Sequence, residues 1–241
     1  SELREIDVAL IALRVREPTL ILHGEPAVGL EAAAASAIGR QDVVLNLVSG
    51  VYGKGFGYWA KRYAKEVHEV EVPYNEALDP AAVAAALKRH PETSIVSAVH
   101  HDTPSGTLNP IRDIGRVVQD HGALLLVDAV SSFAGMDIHP DDCQADIFVT
   151  GPGKCLGGPP GVTLLAVNAR AWEHIAANPD TPRDSVLSML DWKEAWRRDK
   201  PFPFTPSVAE VNALDAALDG YLEEGPETVW ARHALVARAC R

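Results

Sequence analysis

The chain has 241 residues, of which 47% are hydrophobic and 23% are charged, as is ordinary for a globular protein. Its formal net charge is −11, because 33 acidic residues outnumber 22 lysines and arginines. Acidic proteins repel nucleic-acid phosphates and anionic lipid, so we expect neither nucleic acid nor a membrane as a partner. The three cysteines form no CxxC pair and leave an odd thiol, which favours a reducing cytoplasm.

Both ends of the sequence carry helical patterns without clear caps. Apolar residues recur at helical spacing between Leu3 and Leu13, and a second helical pattern runs from Pro226 to Arg241. We therefore interpret the chain as part of a longer protein, cut at both ends.

Short apolar runs alternate with helical patterns between these ends. Strands that are apolar on both faces, separated by helices of about 10–15 residues, are typical of an α/β fold with a mostly parallel sheet and helices on both faces. Such sheets bind ligands beyond the carboxyl ends of their strands. Seven strands are predicted, at residues 19–22, 43–48, 68–72, 94–99, 123–127, 147–150 and 162–167. Four loops are predicted to carry the site, at residues 23–29, 49–57, 100–106 and 128–132.

Two charged side chains follow predicted strands. Asp128 ends an apolar run, and a carboxylate there needs a cation or several donors, because unpaired buried charge is costly. Lys154 is framed by glycines and prolines, which let backbone approach a ligand and stiffen the loop. A lysine amine in a poorly solvated pocket becomes a nucleophile toward carbonyls. Alone, Asp128 could be a helix N-cap and Lys154 a solvated charge; together they indicate a binding carboxylate and a reactive amine.

Other site classes have less support. Tyr52 lies in a glycine-rich, predicted strand-to-helix loop, where its ring could stack on a ligand or simply pack in the core. No GxGxxG opens a first βαβ unit, which argues against a nicotinamide enzyme. Metal-ligand spacing is lacking among His100, His101, Asp102 and His139, so no metal is expected.

Five segments together resemble the fold-type I, class-V-like aminotransferases related to alanine–glyoxylate and 2-aminoethylphosphonate transaminases: HGEPAVGLEAAAAS, SGVYGKGFGYWAKRY, HHDTPSGTLNPI, LLLVDAVSSFAG and TGPGKCLGGPPG. The resemblance implies a vitamin B6-binding large domain over residues 1–241. It implies that residues 226–241 start the helix toward a small domain that is absent from this sequence. It also implies a homo-oligomer, a dimer or tetramer, because the sites of this family form between subunits.

The resemblance implies one role for each matching residue. Lys154 matches the lysine that forms an imine with the B6 molecule and moves its proton. Asp128 matches the aspartate that pairs with the pyridine nitrogen. Tyr52 and Val130 match the residues on the two ring faces, and Thr103 matches the hydroxyl that contacts the phenolic oxygen.

The sequence departs from the family where relatives bind the cofactor phosphate. The phosphate turn reads Glu25-Pro26-Ala27, in which Pro26 has no N–H and Glu25 places a negative charge where the phosphate would lie. These changes favour an unphosphorylated B6 vitamer as a substrate, with no separate cofactor. With such a substrate, the resemblance implies that pyridoxamine and pyruvate give pyridoxal and L-alanine, as in vitamin B6 degradation.

Two alternatives stay open. One is a conventional pyridoxal phosphate-dependent aminotransferase for alanine, serine or glyoxylate. The other is a catalytically incomplete B6-binding fragment, because relatives bind the substrate carboxylate through arginines of the small domain. Arg183, Arg197 and Arg198 are interpreted as surface charges rather than replacements for those arginines.

Overall fold

The computed structural model describes residues 19–196, 201–203 and 205–240; the predictions for the helix at residues 3–13 and for Arg197 and Arg198 lie outside this part. Seven strands form one sheet in the order β1-β9-β8-β7-β4-β2-β3, and β5 pairs with β6 in a small hairpin. The strands are β1 Leu20–His23, β2 Val43–Val48, β3 Glu66–Glu71, β4 Ile95–Val99, β5 His101–Asp102, β6 Thr107–Leu108, β7 Leu124–Asp128, β8 Ile147–Thr150 and β9 Val162–Val167.

Five neighbouring strands, from β8 to β3, run parallel, whereas β9 is antiparallel to both β8 and β1. The predicted seven-stranded, mostly parallel sheet is therefore confirmed. The parallel strands point their carboxyl ends to one edge, where loops from β2, β4, β7 and β8 meet. That edge is where ligands bind in sheets of this kind.

Helices cover both faces of the sheet, as predicted. They are α1 Pro26–Ala37, α2 Val51–Tyr63, α3 Pro80–Arg89, α4 Ile111–His121, α5 Ala169–Ala177, α6 Met189–Trp196, α7 Val208–Glu224 and α8 Pro226–Ala239. Alternate residues of each central strand enter two separate cores. Val44, for example, belongs to the core that includes residues of α1, α2, α5 and α6, while its neighbour Leu45 belongs to the core that includes residues of α3, α4 and α7. Among the helices of the described part, none has the length and apolar character needed to cross a membrane.

Local sequence explains several helix ends. The Asp79 carboxylate caps α3 by accepting the Ala81 N–H at 2.8 Å, and Pro80 fills the first helical position, where an N–H is not needed. Gly122 ends α4 in the left-handed conformation, with φ 89°.

Two predicted site loops are wrong in conformation. Residues 26–29 already belong to α1, and residues 51–57 belong to α2, so Tyr52 lies in the first turn of a helix rather than in a loop. Pro26 explains the early start of α1, because its fixed φ suits the first helical position. The glycines of α2 misled the prediction. Gly53 and Gly57 are buried, and added Cβ atoms there would meet the Leu47 carbonyl oxygen and the Asn46 amide at 2.9 and 2.8 Å.

Candidate active site

A cavity of about 280 Å³ opens at the carboxyl edge of the sheet. Its size suits a small single-ring ligand. Five of the six predicted site residues line it: Glu25, Tyr52, Asp128, Val130 and Lys154. Residues that come from four separate loops or helix ends in the sequence are thus neighbours in space. What each side chain does there stays a prediction.

Thr103 is the exception, because it is exposed and does not line the cavity. Its hydroxyl forms a short hydrogen bond with the hydroxyl of Ser131, which does line the cavity. The structure therefore places a polar pair at this wall, with Ser131 nearer the cavity than the residue that was predicted.

Asp128, the last residue of β7, is buried in the cavity wall with few partners. Oδ1 accepts the Val130 N–H at 2.9 Å. Burial raises the pKa of this carboxyl to about 6, against the lowering effect of the Val130 N–H; the charge of Asp102 raises it further and that of Lys154 lowers it. A carboxyl held in this way is ready to bind a cationic group from a ligand.

The raised pKa of Asp128 has a consequence for stability. The folded-state value of about 6 lies above the ordinary value of 3.8, so the ionised carboxylate destabilises the ligand-free fold once pH exceeds 3.8, and fully above 6. We expect Asp128→Asn to raise the free energy of unfolding of the ligand-free protein at pH 7.5 by up to about 3 kcal/mol. Urea unfolding at pH 7.5 and at pH 5 measures the effect.

The gain should shrink at pH 5 and vanish only well below pH 3.8, because the wild-type carboxyl is then neutral in both states. Asp113→Asn, at an exposed acid on α4, is the matched control and should change little. An Asp128→Asn protein that is less stable than wild type at pH 7.5 would contradict this account.

A closed turn after β8 carries Lys154. The Gly157 N–H donates to the Lys154 carbonyl at 3.0 Å, and the Gly158 N–H donates to the Pro152 carbonyl at 2.8 Å. Gly157 has φ 74°, which favours glycine. An added Cβ on Gly153 would lie 3.1 Å from the Pro160 Cα, so the turn packs too tightly there for a larger residue without rearrangement.

The expected poor solvation of Lys154 is not observed. The residue is exposed although it lines the cavity, whereas Asp128 of the same cavity is buried. Any exclusion of water from the amine must therefore come from a bound ligand or from chain that covers the mouth.

Sequence reasoning missed several cavity residues. His101 was weighed only as a metal ligand, yet its imidazole lines the cavity and burial lowers its pKa, against the opposing effect of Asp102. Phe56 and Trp59 also line the cavity and pack edge-to-face with ring centroids 6.2 Å apart. On α2, Phe56 lies one helical turn after Tyr52, and Trp59 lies one turn after Gly55. This periodicity would have placed both residues beside the cavity if the start of the helix had been known.

Two clusters of possible metal ligands lie outside the cavity in the described ranges: His68, His90 and Glu92, and Asp137, His139 and Asp142. In the first, the imidazole rings stack 3.5 Å apart at 20°, so their in-plane lone pairs cannot converge on one ion without ring rotation. In the second, Arg112 already lies 3.6 and 3.7 Å from the two carboxylates and supplies the positive charge. Neither observed arrangement suits a metal.

Arg183 lies 2.9 Å from Asp191 and 3.0 Å from Glu194, which agrees with its interpretation as a surface charge. No arginine of residues 19–196, 201–203 and 205–240 lines the cavity. The cavity wall that these residues form therefore offers no arginine to a substrate carboxylate.

Comparison with known proteins gives concordant matches. The family model for class-V aminotransferases matches residues 58–240. A curated pyridoxamine–pyruvate transaminase of Mesorhizobium japonicum is 66% identical over 98% of this chain and 60% of its own length. The crystal structure of pyridoxamine–pyruvate aminotransferase from Mesorhizobium loti has a TM-score of 0.96 at 65% identity, over 100% of this chain and 61% of that one.

A more distant structure, the alanine–glyoxylate aminotransferase of Nostoc sp., has a TM-score of 0.91 at 28% identity, over 96% of this chain and 62% of its own. The chain thus spans about 60% of the length of the relatives it matches.

Proposed function

Because the chain belongs to the class-V aminotransferase family, we propose that the protein transfers an amino group between pyridoxamine and pyruvate, giving pyridoxal and L-alanine. One observation carries this proposal: Glu25, Pro26 and Ala27 line the same cavity as Lys154 and Asp128. An unphosphorylated B6 vitamer is then a substrate that binds and leaves. The name of the Mesorhizobium japonicum relative supports the same reaction.

The cavity residues fit a B6 ring. When bound, such a ring supplies an electron sink for the carbon that loses its proton. Asp128 accepts the hydrogen bond of the protonated pyridine nitrogen and keeps the ring cationic. Tyr52 and Val130 bind the two ring faces, and Lys154 Nζ first holds the vitamer and then moves the proton. Thr103 supports the phenolic oxygen through its bond to Ser131.

The start of α1 opposes phosphate binding, although a helix N-terminus ordinarily attracts anions. Pro26 at the first helical position has no N–H, and the Val28 N–H already donates to the Glu25 carbonyl at 2.8 Å. The Glu25 side chain makes no capping bond, so within the described chain its carboxylate is available to a ligand. It can accept a hydrogen bond from a neutral hydroxymethyl group and repels a phosphate.

The direct test compares two amino donors. Purified protein is mixed with pyruvate and either pyridoxamine or pyridoxamine 5′-phosphate, and L-alanine is measured. We expect turnover with pyridoxamine. Transamination only with the phosphorylated vitamer would refute the assignment.

A conventional pyridoxal phosphate-dependent aminotransferase is the second candidate. The observation in its favour is that α1 still points its N-terminus at the cavity, the usual arrangement for a bound phosphate. Retention of a yellow, phosphorylated cofactor through dialysis would select this candidate. A vitamer spectrum without turnover would instead indicate that the carboxylate-binding part of the site is missing.

A cytoplasmic homo-oligomer, a dimer or tetramer, completes the proposal. Val51, Tyr52 and Tyr58 on α2 are 50%, 47% and 68% exposed beside the cavity, which is unusual for large apolar side chains and suits a subunit contact. Sedimentation equilibrium measures the state, and a monomer would contradict it.

Tyr52 should contribute stacking energy to vitamer binding. We expect Tyr52→Ala to raise the dissociation constant of free pyridoxal about tenfold, because aromatic pairs contribute about 0.5–1.5 kcal/mol beyond their buried area. Tyr52→Phe should bind nearly as wild type, since only the ring is needed. Fluorescence titration measures both, and Tyr74→Ala, at an exposed tyrosine that does not line the cavity, is the control. Equal losses in the alanine and phenylalanine variants would show that the hydroxyl, not the ring, matters.

A further inference from the structure

A second carboxylate, Asp102, is buried beneath the helix that carries Tyr52. Its residue is 0% exposed, and Oδ2 accepts the Tyr52 N–H at 3.1 Å. A Cβ added to Gly50 would lie 2.1–2.5 Å from the carboxylate atoms, so a glycine is needed at position 50 to make room for this carboxylate. The carboxylate is thus built into the N-terminus of α2.

The remaining oxygen of Asp102 is unusual. Oδ1 is buried and has no hydrogen-bond partner among residues 19–196, 201–203 and 205–240. A buried carboxylate is costly when only one hydrogen bond and the positive end of a helix dipole stabilise its charge. Such a group calls for an explanation beyond capping, because Asp79 caps α3 from the surface without burial.

The chain places Asp102 next to the ring-binding carboxylate. Val99 of β4 pairs with Asp128 of β7, and the His100 N–H donates to the Asp128 carbonyl at 2.8 Å. Asp102 follows two residues later, and its charge contributes to the raised pKa of Asp128. Asp102 therefore lies where its field reaches both Asp128 and a ring bound between Tyr52 and Val130.

We propose that Asp102 is a positioning residue of the ring-binding site, which anchors α2 under Tyr52 and adds a second negative charge that favours a cationic ring. The proposal rests on the proposed function, in that a B6 ring must bind in the cavity. Asp128 contacts the ring nitrogen, and Asp102 acts through Asp128 and Tyr52. A pure helix cap would need only a hydrogen-bond acceptor, whereas this role also needs the charge.

Two substitutions separate the acceptor from the charge. Asp102→Asn keeps an oxygen for the Tyr52 N–H and removes the charge, and Asp102→Ala removes both. Asp79→Asn is the matched control, because it neutralises a helix-capping aspartate far along the chain from the cavity residues. The probe is pyridoxine, a B6 vitamer without an aldehyde, so that binding is measured without covalent attachment to Lys154.

The dissociation constant of pyridoxine is measured from pH 5 to pH 9. For Asp102→Asn we expect about tenfold weaker binding at pH 8, because one attractive charge is lost. We also expect the acid limit of binding to move about one pH unit lower, because Asp128 ionises more readily without a neighbouring carboxylate. In Asp102→Ala, hydrogen exchange at the Tyr52 amide should in addition become about tenfold faster.

The outcomes separate the two proposals. If wild-type protein binds pyridoxine and Asp102→Asn has the same affinity and the same pH profile, the Asp102 proposal is overturned while the proposed function stands. If affinity falls equally at every pH, Asp102 is a structural cap and the charge role is likewise overturned. If wild-type protein binds no B6 vitamer, the proposed function fails, and the Asp102 role fails with it.

Discussion

Replacement of Lys154 by alanine is expected to abolish covalent capture of the vitamer and to lower transamination about 10⁴-fold or more. The reason is that, in the proposed reaction, one amine serves two steps, as the nucleophile and as the group that moves the proton. No other lysine of the described chain lines the cavity, so no neighbour can replace it. Borohydride reduction in the presence of free pyridoxal, followed by peptide mass analysis, detects the captured vitamer on the lysine peptide independently of turnover.

Two further variants make the Lys154 result specific. Lys88→Ala, at an exposed position near the end of α3, should capture the vitamer and catalyse transamination as the wild-type protein does. Lys154→Arg keeps the positive charge beside Asp128 but cannot form the covalent link, so it should bind pyridoxal reversibly without a reducible adduct. A reducible adduct on another residue of the alanine variant would show that Lys154 is not the attachment point.

The sequence predicted the sheet and most of the cavity, and the physical reasons are local. Asp128 follows a continuous apolar run, which defines a buried strand and its carboxyl end without knowledge of the fold. Lys154 lies between glycines and prolines, a composition that predicts a tight turn, and the structure has that turn. The motif resemblance is confirmed by the class-V family match and by the 66% identical relative.

Features that depend on tertiary contacts were not predictable. The antiparallel direction of β9 leaves no mark in an apolar run, because a strand buried on both faces reads the same in either direction. The exposure of Lys154 depends on how its turn packs against the rest of the cavity wall. Asp102 was considered only as a metal ligand, since its hydrogen bond to the Tyr52 N–H joins residues that are 50 positions apart in the chain.

Thr103 and Ser131 show the limit of transferring roles along a motif. The motif identified the hydroxyl of Thr103; in the structure that hydroxyl contacts the hydroxyl of Ser131, and of the two residues Ser131 lines the cavity. Two hydroxyls in contact can exchange the role of donor, so either can serve a ligand. Which of the two hydroxyls contacts a ligand stays a prediction.

Glu25 is expected to set the preference between free and phosphorylated vitamers. Glu25→Gln removes one negative charge at the start of α1 and keeps a similar shape. We expect the dissociation constant of pyridoxal 5′-phosphate to fall about tenfold, since repulsion between like charges is removed near a partly screened surface. Glu25→Ser combined with Pro26→Ala should lower it further, by about a hundredfold in total, because a hydroxyl and a backbone N–H become available to the phosphate. Binding of free pyridoxal should weaken several-fold in both variants, because a charged acceptor for its hydroxymethyl group is lost.

Salt dependence and a matched charge change decide whether Glu25 acts locally. Glu31→Gln lies on the same helix, where Glu31 pairs with Arg62 at 2.9 Å, and alters the net charge by the same amount. If the discrimination comes from the cavity, Glu31→Gln should leave the ratio of the two dissociation constants unchanged. If it comes from the overall charge of −11, both variants should shift the ratio equally and 0.5 M salt should erase the shift. The cavity position of the Glu25-Pro26-Ala27 turn favours the first result, because a phosphate on a ring held by Asp128 would meet this carboxylate directly. If Glu25→Gln leaves the ratio of the two dissociation constants unchanged, the Glu25 charge does not set the selectivity, and the missing N–H of Pro26 remains as its basis.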